Sequence, residues 1–116
     1  MAPTIVSKAG KPWLITGSPG GSRIITIVLQ VILDVIDFHQ SIAQAVSAPR
    51  VHHQWLPDVV TAEDGFPENT IRQLEALGHP VHVGGAWGSA NSILIAPDAI
   101  TGAADPRTRG AAAEGE

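Results

Sequence analysis

The segment Thr16-Gly17-Ser18-Pro19-Gly20-Gly21-Ser22-Arg23 places three glycines between two apolar runs, Trp13-Leu14-Ile15 and Ile24–Ile36. This order reads as strand, glycine-rich turn, helix. Glycines let a turn adopt positive φ and let another group approach the main chain closely. The helix that follows begins with backbone N–H groups that have no partner within it, at the positive end of its dipole. Such a corner suits negative charge: a phosphate, a carboxylate or a developing oxyanion. A Walker loop requires Gly-x-x-x-x-Gly-Lys-Ser/Thr, and no lysine follows Lys11. Gly17, Gly20 and Gly21 also miss the G-x-G-x-x-G spacing of a dinucleotide fingerprint and the G-x-S-x-G of a nucleophile elbow. Spacing alone leaves two readings, a structural tight turn and a turn that binds an oxyanion or a carboxylate.

Other chemistry-bearing residues give weaker patterns. His52 and His53 are adjacent, and neighbours on a strand point to opposite faces. They are poorly placed to share one ion, and His39, His79 and His82 add no ligand spacing. No metal or other cofactor is expected, and nothing singles out a Ser-His-Asp nucleophile. Arg23 stands at a helix start, where a cation opposes the dipole. It therefore reads either as the partner of a carboxylate or as a solvated side chain. Trp13, Trp55 and Trp87 read as packing residues.

The elements that position these residues follow from periodicity and turn chemistry. Residues 3–7 and 11–16 form a hairpin about Ala9-Gly10-Lys11-Pro12. Residues 22–38 are rich in Ile and Val, yet Ser22, Thr26, Gln30 and Asp34 recur every fourth residue. That spacing makes one polar stripe on a helix that is apolar elsewhere and buried on several sides. Ser41 caps a short helix, Ile42–Ser47, which ends before Pro49. Extended pieces are expected at 51–56 and 59–63. An amphipathic helix at 68–77 is stopped by Gly78, and short strands follow at 81–83 and 92–96. From Thr101 onward, Gly, Ala, Pro and Arg predict an irregular tail. The order β-β-α-α-β-β-α-β-β lacks regular βαβ alternation and indicates a layered α+β fold.

Composition narrows the partners. A chain of 116 residues is at most one domain, and 44% hydrophobic residues suffice for a core. The net charge of -4 and scattered basic residues argue against nucleic acid and anionic membranes. Without cysteine there is no disulfide frame, thiolate zinc site or cysteine nucleophile. The N-terminus has no signal-peptide pattern, and the longest apolar segment is too short for a membrane span. The apolar helix at 22–38 also predicts association, either with itself or with other polypeptide.

Several stretches together resemble the γ-glutamyltranspeptidase (glutathione hydrolase) family. They are Met1-Ala2-Pro3-Thr4-Ile5-Val6, the run from Thr16 to Ile25, and Ala48-Pro49-Arg50-Val51-His52-His53-Gln54-Trp55-Leu56-Pro57-Asp58. Gly88-Ser89-Ala90-Asn91-Ser92-Ile93 and Gly102-Ala103-Ala104-Asp105-Pro106-Arg107 follow in the family's order. The resemblance covers nearly the whole chain and corresponds to the C-terminal part of the family's small subunit. It implies part of an N-terminal-nucleophile hydrolase αββα sandwich, with residues 1–116 a fragment of the small-subunit domain.

The implied reaction is γ-glutamyl hydrolysis or transfer, from glutathione and related compounds to water or an acceptor amine. A threonine freed at a new N-terminus by self-cleavage is the nucleophile. The family's oxyanion-hole glycine pair corresponds to Gly20 and Gly21, which are thereby the expected catalytic and substrate-binding residues. The family's substrate-binding serine pair, nucleophilic threonine and glutamyl-binding residues fall upstream of the segment matching Met1. Thr4 lies in the matching strand and does not replace the nucleophile. The expected partners are the remaining large- and small-subunit segments, and the isolated chain is expected to be inactive. Pro67, where the family often has a capping serine, and the Glu114-Gly115-Glu116 end depart from the pattern. The family suggests a periplasmic or extracellular location. The alternative is a non-catalytic binding or regulatory module that retains the fold.

Overall fold

The structure is a computed structural model that describes residues 3–114. The Met1-Ala2 start of the first matching stretch and the Gly115-Glu116 end lie outside the described residues. The elements are β1 (Thr4–Lys8), β2 (Lys11–Gly17), α1 (Ile24–Ile36), α2 (Ile42–Ser47), β3 (Val51–His52), β4 (Val60–Glu63), α3 (Glu68–Ala76), β5 (Val81–Gly84), β6 (Asn91–Ile95) and β7 (Ile100–Ala103). A single 3-10 turn, Gly21–Arg23, leads into α1. The fold is α+β. It divides into two compact units: residues up to Ala48 together with those from Gly88 onward, and Pro49–Trp87.

The first unit carries a four-stranded sheet ordered β1-β2-β6-β7, antiparallel throughout. In register, Val6, Leu14 and Leu94 share one face, as do Thr4, Thr16, Ser92 and Ala103. The helices pack with this sheet, α1 against β2 and α2 against β6 and β7. Leu14, Ile27, Val31, Val35, Ile42, Ala45 and Val46 form the core. On the opposite face Ile5, Ile15 and Ile93 align, and Ile5 and Ile93 are exposed.

The polar stripe of α1 is realised, but its apolar surface is only partly covered. Ile27, Val28, Val31 and Val35 are buried, while Ile25, Leu29, Leu33 and Ile36 are exposed. The expectation of burial on several sides is therefore corrected within this chain. Ser41 caps α2 with a full capping box: its side chain accepts from the Gln44 N–H, and the Gln44 side chain accepts from the Ser41 N–H.

The irregular tail expected from Thr101 is corrected over its first three residues, while the described residues from Ala104 onward form no helix or strand. Ile100–Ala103 forms β7, because β6 offers a free edge and the register Ser92↔Ala103, Ile93↔Gly102 satisfies its backbone groups. The second unit is a three-stranded sheet, β3-β4-β5, with β4 and β5 parallel. No helix among the described residues is long and apolar enough to cross a membrane.

Asp34 sits on α1, where desolvation raises its carboxyl above the ordinary 3.8. The folded state thus holds this proton more firmly than the unfolded chain. Stability is favoured below 3.8 and lost as pH rises through the raised value. Asp34→Asn is expected to raise the thermal midpoint at pH 7, by less than about 2 °C given the group's partial exposure, and to leave it unchanged at pH 3. Melting curves at the two pH values check this.

Candidate functional site

Strand β2 delivers the chain into the glycine turn. Gly17 still pairs with Asn91, and Ser18 is fully buried. The Ser18 hydroxyl donates to the Pro19 carbonyl at 2.6 Å and accepts the Ser89 N–H at 2.9 Å. Gly20 and Gly21 then take φ of 148° and 59°, values that disfavour any side chain. Arg23 N–H donates back to the Gly20 carbonyl at 3.1 Å, and Ile24 N–H to the Gly21 carbonyl. Among the described residues, neither the Gly20 nor the Gly21 N–H has an acceptor. Both glycines are exposed, at the positive end of a 13-residue helix. Two adjacent main-chain donors at this end can receive an oxygen that gains negative charge.

A second loop braces the turn from behind. Gly88 has φ of 75°, and a Cβ there would lie 2.5 Å from Ile27 Cδ1, 2.9 Å from Ser18 Oγ and 3.4 Å from the Pro19 carbonyl oxygen. Ser89 accepts a hydrogen bond from Thr108 Oγ1 at 2.6 Å. The loop is in turn held by the buried carboxylate of Asp105. This group accepts the Ala90 N–H at 2.6 Å, the Arg107 N–H at 2.9 Å and Arg107 Nη1 at 3.2 Å. Arg107 also donates to the Val46 and Ala48 carbonyls at 3.0 and 2.8 Å, which ties the segment to the end of α2.

In the second unit, Glu63 has a comparable role. Its buried carboxylate accepts the Arg50 N–H at 3.0 Å and the Trp87 N–H at 2.8 Å, while Arg50 Nη1 donates to the Trp87 carbonyl. The His52-His53 pair points to separate partners. His52 Nε2 lies 3.1 Å from Gln54 Oε1, and His53 Nε2 lies 3.1 Å from Asp58 Oδ1. The Trp55 N–H donates to His53 Nδ1, so in the neutral ring the proton sits on Nε2, facing Asp58. These local bonds end β3 at His52, short of the strand expected over 51–56. Trp55 is 75% exposed with φ of 76°, which corrects its reading as a packing residue. The Gln54, His53 and Asp58 bonds fix the loop without a core contact from the indole.

The structure thus places Gly20 and Gly21 together in one turn of the first unit, while His52 and His53 belong to the second unit and have partners of their own there. Sequence reasoning missed Ser18, Asp105 and Glu63 as supports. Gly88-Ser89 and Asp105 entered only as family-matching stretches, since their partners lie far along the chain.

The fold is that of solved N-terminal-nucleophile hydrolases. A crystallised γ-glutamyltranspeptidase mutant of Helicobacter pylori superposes with a TM-score of 0.89 at 46% identity, over 93% of this chain and 61% of that one. An acivicin-inhibited γ-glutamyltranspeptidase, whose structure is described as revealing critical roles for its C-terminus in autoprocessing and catalysis, gives the same TM-score and identity over 94% of this chain. In sequence, the Glutathione hydrolase proenzyme of Escherichia coli is 54% identical over 109 residues, 93% of this chain and 19% of that protein. The family model for Gamma-glutamyltranspeptidase matches residues 1–115. The chain belongs to the γ-glutamyltranspeptidase family. It spans about a fifth of the length of the curated relatives it matches.

Proposed function

We propose that these residues form the oxyanion-stabilising part of a γ-glutamyl hydrolase or transferase site. The observation that carries this reading is the pair of main-chain donors, Gly20 and Gly21, without acceptors at the start of α1. In the proposed reaction a threonine with a free α-amine, supplied by other polypeptide, attacks the γ-glutamyl carbonyl. Its amine takes the hydroxyl proton, and the carbonyl oxygen becomes an oxyanion held by the Gly20 and Gly21 N–H groups. Collapse expels the leaving amine, which takes the proton, and leaves a threonine ester. Water or an acceptor amine then attacks that ester and regenerates the hydroxyl. Thr4 does not supply the nucleophile: it lies within β1, paired with Thr16, and its nitrogen is an amide.

The remaining large- and small-subunit segments are the proposed partners, and the exposed side of α1 at Ile25, Leu29 and Leu33 supports docking there. The anchoring of residues 105–107 fits a C-terminal contribution to the site, as described for the acivicin-inhibited relative.

The test is a chimera in which this chain replaces the matching segment of the Escherichia coli relative. Replacing the N–H of residue 20 or 21 by an ester oxygen, through glycolate incorporation, removes one donor and keeps the side chains, while weakening the preceding carbonyl as an acceptor. Turnover of a γ-glutamyl anilide, per processed molecule, is expected to fall by about 10²–10³ in kcat. Ester variants with unchanged kcat would overturn the reading. The 116-residue polypeptide alone is expected to show no turnover of the same anilide.

A further inference from the structure

We infer that Ser18 is a positioning residue that sets the direction of the Gly20 N–H. This rests on the oxyanion reading of the glycine turn and adds to it the group that aims one donor. The Pro19 carbonyl and the Gly20 N–H belong to one planar peptide unit, and the only cis bond among the described residues is Leu56-Pro57. In a trans peptide the C=O and N–H point in opposite directions, and rotating one rotates the other. Whatever holds the Pro19 oxygen therefore aims the Gly20 hydrogen.

That oxygen is held by the Ser18 hydroxyl at 2.6 Å. Ser18 is fully buried, so its hydroxyl is not drawn off to bulk water. The hydroxyl is itself oriented, because the Ser89 N–H donates to it at 2.9 Å and occupies an acceptor position. Its proton is thereby directed to the Pro19 oxygen. The bare Cα of Gly88 closes the space behind the same two oxygens. The carbonyl thus points into the protein, and the Gly20 N–H points away from it, into the exposed turn.

The need for such a device follows from the Gly20 backbone. At φ of 148° and ψ of 14° it lies outside the wells that would fix the plane by sterics alone. A glycine in this position can turn its peptide freely unless a neighbour holds it. Alanine at position 18 removes the hydroxyl that holds the Pro19 oxygen and leaves the Gly20 donor in place but unaimed. Binding of the ground state is little affected by this. The loss falls on the step in which the oxyanion forms, and so on kcat.

The experiment uses the processed chimera described above, with Ser18→Ala, the residue-20 ester, and the two combined. Ser18→Ala is expected to lower kcat for the γ-glutamyl anilide by about 10-fold, with KM within about two-fold. Added to the residue-20 ester it is expected to cost nothing further, whereas added to the residue-21 ester it costs its full 10-fold. Ser18→Thr, which keeps a hydroxyl, is expected to restore kcat to within about three-fold. Ser18→Cys, with a weakly donating thiol, serves if the alanine variant does not fold, and an intermediate kcat is expected. Unchanged kcat in Ser18→Ala or Ser18→Cys, or a loss that adds to that of the residue-20 ester, would overturn the inference while leaving the oxyanion reading intact. A residue-20 ester with wild-type kcat would instead overturn the assignment of Gly20.

Discussion

Asp105→Ala is expected to destabilise the first unit by about 3–5 kcal/mol. The Asp105 carboxylate is fully buried and accepts from the Ala90 N–H, the Arg107 N–H and the Arg107 guanidinium. Removing it strands two main-chain donors and leaves a guanidinium whose side chain is only 10% exposed. The cost comes mainly from these orphaned groups, because an intact buried pair roughly repays its own desolvation. Arg107 keeps its bonds to the Val46 and Ala48 carbonyls, so its charge cannot simply swing into water. Urea titration is the measurement: the midpoint should fall with the slope preserved. Asp105→Ala combined with Arg107→Met should recover part of the loss, since the uncompensated charge goes with it. A single variant within about 1 kcal/mol of the parent would show that these bonds have solvent substitutes.

Gly88→Ala is expected to cost about 2–5 kcal/mol, the sum of a left-handed alanine and an overpacked contact. At φ of 75° a Cβ is already unfavourable, and here it would sit 2.5 Å from Ile27 Cδ1 and 2.9 Å from Ser18 Oγ. Ile27 is a fully buried residue of α1 and has little room to give way. Gly110 supplies the control. Its φ is 76°, but a Cβ there would meet nothing within 4 Å. Gly110→Ala should therefore carry the backbone penalty alone, about 1–2 kcal/mol. Equal losses at 88 and 110 would mean that the turn behind Gly20 moves aside at no cost.

The contrast between these two glycines also shows what sequence could and could not reveal. Nothing in the sequence sets the one apart from the other in packing, and only the fold brings Ile27 and Ser18 behind Gly88. Features set by near neighbours were legible: the hairpin about Gly10, the Ser41 cap of α2, the Gly78 stop after α3 and the fourfold stripe on α1. The adjacent glycines at the start of α1 were legible for the same reason. Strand β7 was not, because Thr101-Gly102-Ala103 has no strand signal of its own and owes its conformation to β6. Residues 53–56 carried a strand-like composition, but side-chain bonds from His53, Gln54 and Asp58 took the chain elsewhere. The apolar pattern at 22–38 signalled association, but that Ile25 and Leu29 are among the side chains left uncovered depends on what packs against the helix.

The first unit is interrupted in sequence, and this sets an order of events during synthesis. β2 has no second neighbour until β6 emerges, since Leu14 pairs with Leu94 and Gly17 with Asn91. All partners of β3, β4 and β5 lie between Val51 and Gly84 and can meet earlier. Closing the long loop between β2 and β6 is the slower, entropically costlier step. Ser89, which orients the Ser18 hydroxyl, arrives with that closure. The nascent chain thus carries its glycine turn without the Ser89 contact until that closure occurs. The Ser18 hydroxyl acquires its full set of partners only when the strand that follows Ser89 docks.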